Sequence, residues 1–455
     1  MLESVLVLPK DINDYRPFVG DQRIDEIIAQ AAPLRGARVL HLNATAYGGG
    51  VAELLSTNVP LLRSVGIDAE WRVMPGGPDL WETTKAIHNL LQGASIAPSS
   101  PEASSESIRH RNRRRSIVAP WTPEMAAIWE RYNALTAELF DQQYDFVVVH
   151  DPQPAGVLHF LLQSSPKASS TKWIWRCHID LTKARPDAWS FLRPYLAPYD
   201  ASIFTMQEFV KSDVPTPEVA LIAPTIDPLS AKNIELSPSA ISEVLHRFGI
   251  DPKRPILTQV SRFDPWKDPL GVVDVYKLVR RTVPGLQLLM VGSMATDDPE
   301  GFKYFELTAR RVGEDPSVHL LTNLSGVGSL EVNALQRASS VVLQKSIREG
   351  FGLTVAEALW KARPMVATAV GGIPLQIASG QCGYLVSSNR ECAARVQELL
   401  ANRSLAKEFG TNGRERVRAN FLTTTGLSDY LQLFNGLRAQ ASARVSTFSA
   451  SRSRL

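Results

Sequence analysis

Short apolar runs of β type alternate with helical patterns along almost the whole of this 455-residue chain, and that alternation limits the fold more than any other feature. In the first half the strand candidates are 37–42, 144–149, 173–177, 201–205 and 219–223. Between the first two, Val51, Leu54, Leu55, Val59 and Leu62 recur at helical spacing over 51–64. In the second half the candidates are 255–261, 286–292, 318–322, 340–344, 364–369 and 383–387. Strands separated by helices pair in parallel and carry helices on both faces. A chain of this length is too long for one ordinary core. Two such series therefore predict an α/β protein of two Rossmann-like, doubly wound domains.

The break is expected in PTIDPLSAKNIELSP (224–238), which is rich in turn formers and poor in periodic apolar residues. The expected domains are 1–228 and 229–424, followed by a helix over 425–440 free to cross back to the first domain. The basic end, 441–455, reads as a disordered tail. Residues 94–120 carry many Ser and Pro and then the Arg109–Arg115 cluster, and read as a mobile loop. In open α/β sheets ligands bind beyond the carboxyl ends of the strands. Two such sheets facing each other would enclose a cleft with one substrate on each wall.

Composition adds mainly exclusions. Net charge is only +3, which gives no electrostatic case for nucleic acid. Cys177, Cys382 and Cys392 form no CxxC pair, and an odd count fits a reducing compartment. The N-terminus lacks a basic region before an apolar core, and no apolar run approaches the roughly 20 residues that span a bilayer. The expectation is a cytoplasmic protein without a membrane partner.

Chemistry concentrates at the ends of strand candidates. The segment Glu349-Gly350-Phe351-Gly352-Leu353-Thr354-Val355-Ala356-Glu357 follows Val341-Val342-Leu343. A strand that ends in a glycine loop and opens a helix points backbone N–H groups at whatever lies above the sheet, which suits phosphate. Glu349 falls in the loop and Glu357 inside the helix. Both are acceptors suited to sugar hydroxyls. Arg262 and Lys267, in Ser261-Arg262-Phe263-Asp264-Pro265-Trp266-Lys267-Asp268, follow another strand and suit phosphate charge. Two hydroxyl acceptors and two cations describe a sugar-nucleotide site. An exposed loop carboxylate, a helix-dipole partner and surface cations are the structural alternative.

The first half offers weaker signals. Gly48-Gly49-Gly50 follows the first strand and opens the helix at Val51, so backbone can approach an anion closely. The G-x-G-x-x-G spacing of dinucleotide sites is absent. His150-Asp151-Pro152-Gln153-Pro154 ends one strand, where Asp151 and Gln153 either meet hydroxyls of a second substrate or form a capped turn. Arg176-Cys177-His178 ends the next, and His178 is either a site residue or a satisfied structural histidine. No D-x-D metal signature stands beside a donor strand, and Asp297-Asp298 reads as a loop.

EGFGLTVAEA with its E-x7-E spacing, preceded by VSRFDPWKD, resembles the retaining family 4 glycosyltransferases of GT-B fold over most of 250–420. HLNATAYGGGVAELL, KAIHNLLQG, VHDPQP and WIWRCHIDLTKARPDAW resemble the trehalose glycosyltransferring synthase branch. Trehalose phosphorylases of the same fold are similar in these segments. The resemblance implies transfer of glucose from a nucleoside-diphosphate-glucose to free glucose, forming trehalose reversibly and with retained configuration. It implies that Glu357 accepts from ribose hydroxyls and Glu349 holds the donor glucose. Arg262 and Lys267 would neutralise the leaving diphosphate, helped by backbone from Gly350 through Phe351 and Gly352 to Leu353. Gly49 and Gly50 would approach the donor, His178 would sit by the reacting sugar, and Asp151, Gln153 and Arg176 by the acceptor glucose. No obligatory metal or cofactor is implied, Mg²⁺ at most stimulating through the nucleotide. A homodimer is implied as well. The competing readings are a phosphate-dependent trehalose phosphorylase and a non-catalytic sugar-nucleotide sensor or polyanion binder acting through Arg109–Arg115.

Overall fold

The computed structural model describes residues 1–47, 49–96, 117–118, 120–164, 170–294 and 299–452. The chain crosses from a first compact unit to a second after Thr225 and returns to the first after Leu422. Both points precede the 228/229 and 424/425 boundaries expected from the sequence.

The first unit carries a seven-stranded sheet. Its strands are β1 (Glu3–Ser4), β2 (Arg38–Asn43), β3 (Asp68–Val73), β6 (Phe146–His150), β7 (Lys172–Arg176), β8 (Ala201–Phe204) and β9 (Glu218–Leu221). Their order is β1-β3-β2-β6-β7-β8-β9, parallel throughout except where β1 meets β3. A separate parallel pair joins β4 (Ser95–Ile96) to β5 (Ile117–Val118). The Ser/Arg-rich segment between them, with Arg109–Arg115, lies outside the described residues.

β6 is wholly buried as Phe-Val-Val-Val-His, the run expected of a central parallel strand. β3 was not foreseen. Its sequence Asp-Ala-Glu-Trp-Arg-Val interleaves charges with apolar residues, so it does not read as an apolar run. Arg72 is nevertheless buried, because Glu70 at 2.9 Å and Asp141 at 2.8 Å meet its guanidinium. The helix Thr423–Arg452 packs on this unit. Ser428 Oγ donates to Gln30 Oε1 at 2.8 Å, and the ring of Phe434 stacks on Phe146 at 4.6 Å. Its backbone stays helical to Arg452, past the limit expected at 440.

The second unit carries a six-stranded, all-parallel sheet. Its strands are β10 (Ile256–Val260), β11 (Gln287–Gly292), β12 (Val318–Thr322), β13 (Val341–Gln344), β14 (Met365–Thr368) and β15 (Gly383–Val386). All six fall where the apolar runs predicted them. The order β12-β11-β10-β13-β14-β15 reverses direction between β10 and β13. That is the Rossmann order, and its reversal point is where such sheets bind ligands. Side chains alternate along the strands and supply two cores. Leu288 and Met290 join one face, while Leu289 and Val291 join the other. The sheet is thus covered on both sides, as a doubly wound fold requires. No helix among the described residues is long and apolar enough to cross a membrane.

Candidate active site

At the β10/β13 reversal point of the second unit, two loops meet through an ion pair. Lys267 Nζ lies 2.6 Å from Glu349 Oε2, and both side chains are largely buried. Lys267 ends the short 3-10 turn Pro265–Lys267, which Asp264 caps by accepting from the Lys267 N–H at 3.1 Å. Gln259, on β10, ties the loops together. Its amide donates to Lys267 O at 2.9 Å, and its carbonyl accepts from Lys345 N–H at 2.9 Å. Glu349 Oε2 also accepts from Ser346 Oγ at 3.0 Å. The carboxylate is therefore oriented by several donors. Arg262 follows the same strand, pairs with Asp264 at 3.1 Å and stays 62% exposed, placing a cation where an incoming anion can meet it.

The loop after β13 opens the helix Leu353–Trp360 through Gly352, whose φ of +83° favours glycine. Phe351 is buried, its ring 5.6 Å from Phe421, and its carbonyl accepts from Gln376 at 2.6 Å. A contact not legible in the sequence fixes this loop from the side. Gly371 has φ of +53°, and a Cβ there would stand 1.6 Å from the Glu349 carbonyl oxygen. A Cβ on Gly372 would stand 2.7 Å from the Gly350 carbonyl oxygen. The two glycines let the loop after β14 close against the backbone of Glu349 and Gly350. Their signal was the Gly-Gly pair following the strand 364–369.

Glu357, within the helix, is fully buried. Neither carboxylate oxygen has a hydrogen-bond partner among the described residues, and Lys232 Nζ lies 3.6 Å from Oε1. A buried carboxylate is costly to leave bare. Its two oxygens can accept hydrogen bonds, as from a diol.

In the first unit the expected residues gather at the ends of β6 and β7, beside the sheet's own reversal point between β2 and β6. Asp151 adopts φ of +64°, uncommon for a non-glycine residue, because three bonds hold it. Its N–H donates to Arg176 O at 2.8 Å, its carbonyl accepts from Trp175 Nε1 at 2.9 Å, and its carboxylate accepts from His178 N–H at 2.8 Å. Burial pushes the carboxyl up to about 7, against the pull of the His178 N–H and of Arg176. Arg176 is buried, with Nε unpartnered among the described residues.

His178 is partly buried and joins two histidines the sequence reading gave no role. His41 Nδ1 lies 3.0 Å from His150 Nε2, and His150 Nδ1 lies 3.0 Å from His178 Nε2. Burial holds His41 down to about 3 and, with Arg176 nearby, keeps His150 and His178 well below the usual imidazole range. The available signal was one histidine in or just after each of three neighbouring strands.

Gln153 is less directly engaged. Its described contact is its backbone carbonyl, which accepts from Asn133 Nδ2 at 3.0 Å. Gly49, with φ of +136°, caps the helix Gly50–Ser64, so both stand at a helix N-terminus. Gly48 and the Asp297-Asp298 pair lie outside the described residues. Among the described residues no cluster of three or more His, Cys, Asp or Glu is placed to hold a metal ion.

Comparison with known proteins agrees with this architecture. Residues 41–211 match the family described as Trehalose synthase, N-terminal domain, and residues 242–416 match Glycosyl transferases group 1. The trehalose synthase of Rubrobacter xylanophilus is 47% identical over 437 residues, 95% of this chain and 99% of its own. The trehalose phosphorylase of Pleurotus pulmonarius is more distant, 29% identical over 462 residues, 93% of this chain and 60% of its own. Among solved structures, the alpha,alpha-trehalose 6-phosphate synthase of Burkholderia multivorans superposes with a TM-score of 0.67 at 13% identity, over 90% of this chain and 98% of that one. That likeness shows the shared GT-B fold. Identity near one half along almost the full length of both chains, on top of two family matches that fall one in each half, shows that this chain belongs to the trehalose synthase family of glycosyltransferases.

Proposed function

We propose that the protein transfers glucose from a nucleoside-diphosphate-glucose, such as UDP- or ADP-glucose, to free glucose, making trehalose reversibly with retention at C1. The observation that carries the reading is the Lys267–Glu349 pair at the reversal point of the second sheet, with the bare carboxylate of Glu357 in the helix that follows. On this reading the second unit holds the donor. Glu357 accepts from the ribose hydroxyls, Glu349 from the donor glucose, and the helix start at Gly352 and Leu353 adds backbone donors. The first unit holds the acceptor through Asp151 and Arg176, with Gln153 at the same strand end. His178 stands beside the reacting sugar, and Gly49 and Gly50 allow close approach of the donor.

As the C1–O bond breaks, positive charge grows on the sugar ring and negative charge on the diphosphate. Fixed cations aimed at the leaving group lower that barrier, and such preorganised electrostatics is usually the largest catalytic term. Lys267 and Arg262 fill this role. The leaving phosphate takes the acceptor's proton as the acceptor attacks from the same face, so retention needs no separate base. Because protein cations meet the diphosphate charge, no metal or cofactor is obligatory, and Mg²⁺ acts only by binding the nucleotide. A cytoplasmic homodimer is the setting we assign, resting on likeness to the family.

The greater identity to a trehalose synthase than to a phosphorylase favours a nucleotide sugar over phosphate as the co-substrate. Product analysis with glucose and each nucleotide sugar, beside trehalose plus inorganic phosphate, tests the reading. Glucose 1-phosphate made without nucleotide-sugar turnover would replace the synthase with the phosphorylase.

A further inference from the structure

Acceptor binding does not explain why His178 ends a file of three imidazoles. His41 is on β2, His150 ends β6 and His178 follows β7, so adjacent parallel strands bring them into line. The His150 and His178 rings are nearly coplanar, 13° apart, and the His41 and His150 rings are 34° apart. In-plane nitrogens 3.0 Å apart are good N–H···N hydrogen bonds. A neutral imidazole has one N–H and one bare nitrogen, so two consecutive bonds must run in the same direction.

Only two proton arrangements satisfy both bonds with neutral rings. In one, His41 Nδ1–H donates to His150 Nε2, and His150 Nδ1–H donates to His178 Nε2. His178 then carries its proton on Nδ1, and His41 Nε2 is left as a bare lone pair. In the other, every bond reverses, and His41 Nε2 carries a buried N–H. His41 is fully buried, and its Nε2 has no hydrogen-bond partner among the described residues. An orphaned buried N–H is the rarer defect, a bare acceptor the more tolerated one. The Tyr430 ring packs edge-on against His41, its centroid 5.9 Å away. His178, His150 and the buried Arg176 line one small cavity with Asn58, Thr225 and Tyr430.

We propose that His41 and His150 are positioning residues that hold His178 in the tautomer protonated on Nδ1, through a one-way file of two imidazole hydrogen bonds. His178 then offers a ligand a fixed neutral donor, suited to a sugar oxygen. This consequence rests on the trehalose-forming reading above, whereas the tautomer stands on geometry alone. The arrangement adds no net proton transfer. It fixes which nitrogen bears the hydrogen and how the ring is turned.

Nitrogen NMR of the whole ligand-free protein labelled at histidine reads the tautomer directly. His178→Asn assigns the signal by removing it. The expected wild-type result is His178 protonated on Nδ1. In His150→Phe, which keeps ring bulk but cuts the file, the His178 signal should shift toward the Nε2-protonated form. His41→Phe should shift it in the same direction. The positioning role also predicts that His150→Phe lowers kcat about tenfold while KM changes less than about twofold. Wild-type His178 protonated on Nε2 would overturn the proposal, as would an unchanged His178 spectrum in a folded His150→Phe protein. If the variant does not fold, the wild-type spectrum still decides. A Nδ1-protonated His178 in a protein that makes no trehalose would retain the file and remove only the functional reading.

Discussion

Lys267 and Glu349 meet at 2.6 Å across the one point where the second sheet reverses its strand order. The cation comes from the loop after β10 and the carboxylate from the loop after β13. A donor phosphate and a donor sugar bound there would be held by neighbouring, mutually oriented charges. Lys267→Ala or Arg262→Ala is expected to lower turnover about 10²–10³-fold, the scale of losing one preorganised electrostatic donor. Steady-state kinetics checks this, and unchanged turnover in both variants would remove these residues from the chemistry. Removing Lys267 alone also strands Glu349 in a largely buried place. The double variant Lys267→Met, Glu349→Gln should therefore recover thermal stability relative to Lys267→Ala without recovering activity.

Glu357 predicts a binding effect separate from catalysis. Neither oxygen has a hydrogen-bond partner among the described residues, so a bound diol would supply hydrogen bonds that the Lys232 ion pair at 3.6 Å does not. Glu357→Ala should weaken nucleoside diphosphate binding about 10–100-fold, the cost of losing hydrogen bonds to a charged acceptor. Calorimetric titration with UDP and ADP measures it. Equal affinity in the variant would assign the carboxylate to Lys232 alone.

The glycine pair after β14 is a steric requirement. Gly371→Ala drives a methyl group into the Glu349 carbonyl, 1.6 Å away, at a φ of +53° that L-residues avoid. It should abolish activity and lower the melting temperature well beyond Gly380→Ala. Gly380 has a similar φ of +80° but open space around its Cβ, so it reports only the left-handed strain of about 1–2 kcal/mol. Equal melting temperatures for the two variants would mean that the loop after β14 yields freely.

Asp151 gives the activity profile a testable limb. Its carboxyl is raised to about 7 by burial, yet its ionised form is the one that faces the His178 N–H and Arg176. Activity should therefore fall as pH drops through about 7, and Asp151→Asn should flatten that limb while lowering the rate. An unaltered limb in the variant would assign it to another group.

The buried imidazoles set a stability limb of opposite origin. His41 titrates near 6.5 when unfolded but near 3 when folded, so the unfolded chain binds the extra proton between those values. Its contribution is present above about 6.5 and is lost on acidification, at up to about 1.4 kcal/mol per pH unit. Asp151 and Asp429, raised to about 7 and about 6, act in the other direction over part of this range. His41→Phe should reduce the acid sensitivity of the urea midpoint between pH 6 and 4. An unchanged slope would mean that His41 takes up its proton equally in the folded and unfolded chain.

Legibility of the structure from the sequence varies along the chain. Every strand of the second sheet was legible from its apolar run, most plainly β13, where Val341-Val342-Leu343 is wholly buried. β3 was not legible, because Glu70 and Arg72 neutralise each other on a strand whose apolar partners are Ala69 and Trp71. Glu349 and Lys267 stood out by local motif. Gly371 did not, since its role depends on a contact with a loop 22 positions earlier, at Glu349. His41 and His150 looked like ordinary members of apolar strands until parallel pairing put them in line with His178.

The central claim, glucosyl transfer from a nucleotide sugar to glucose, is tested most directly by analysing products from purified protein. Glucose is supplied with UDP-, ADP- or GDP-glucose, and in a parallel reaction trehalose is supplied with phosphate. The expected products are α,α-linked trehalose and nucleoside diphosphate in equal amounts from at least one nucleotide sugar. Glucose 1-phosphate from trehalose and phosphate, with every nucleotide sugar left intact, would contradict it.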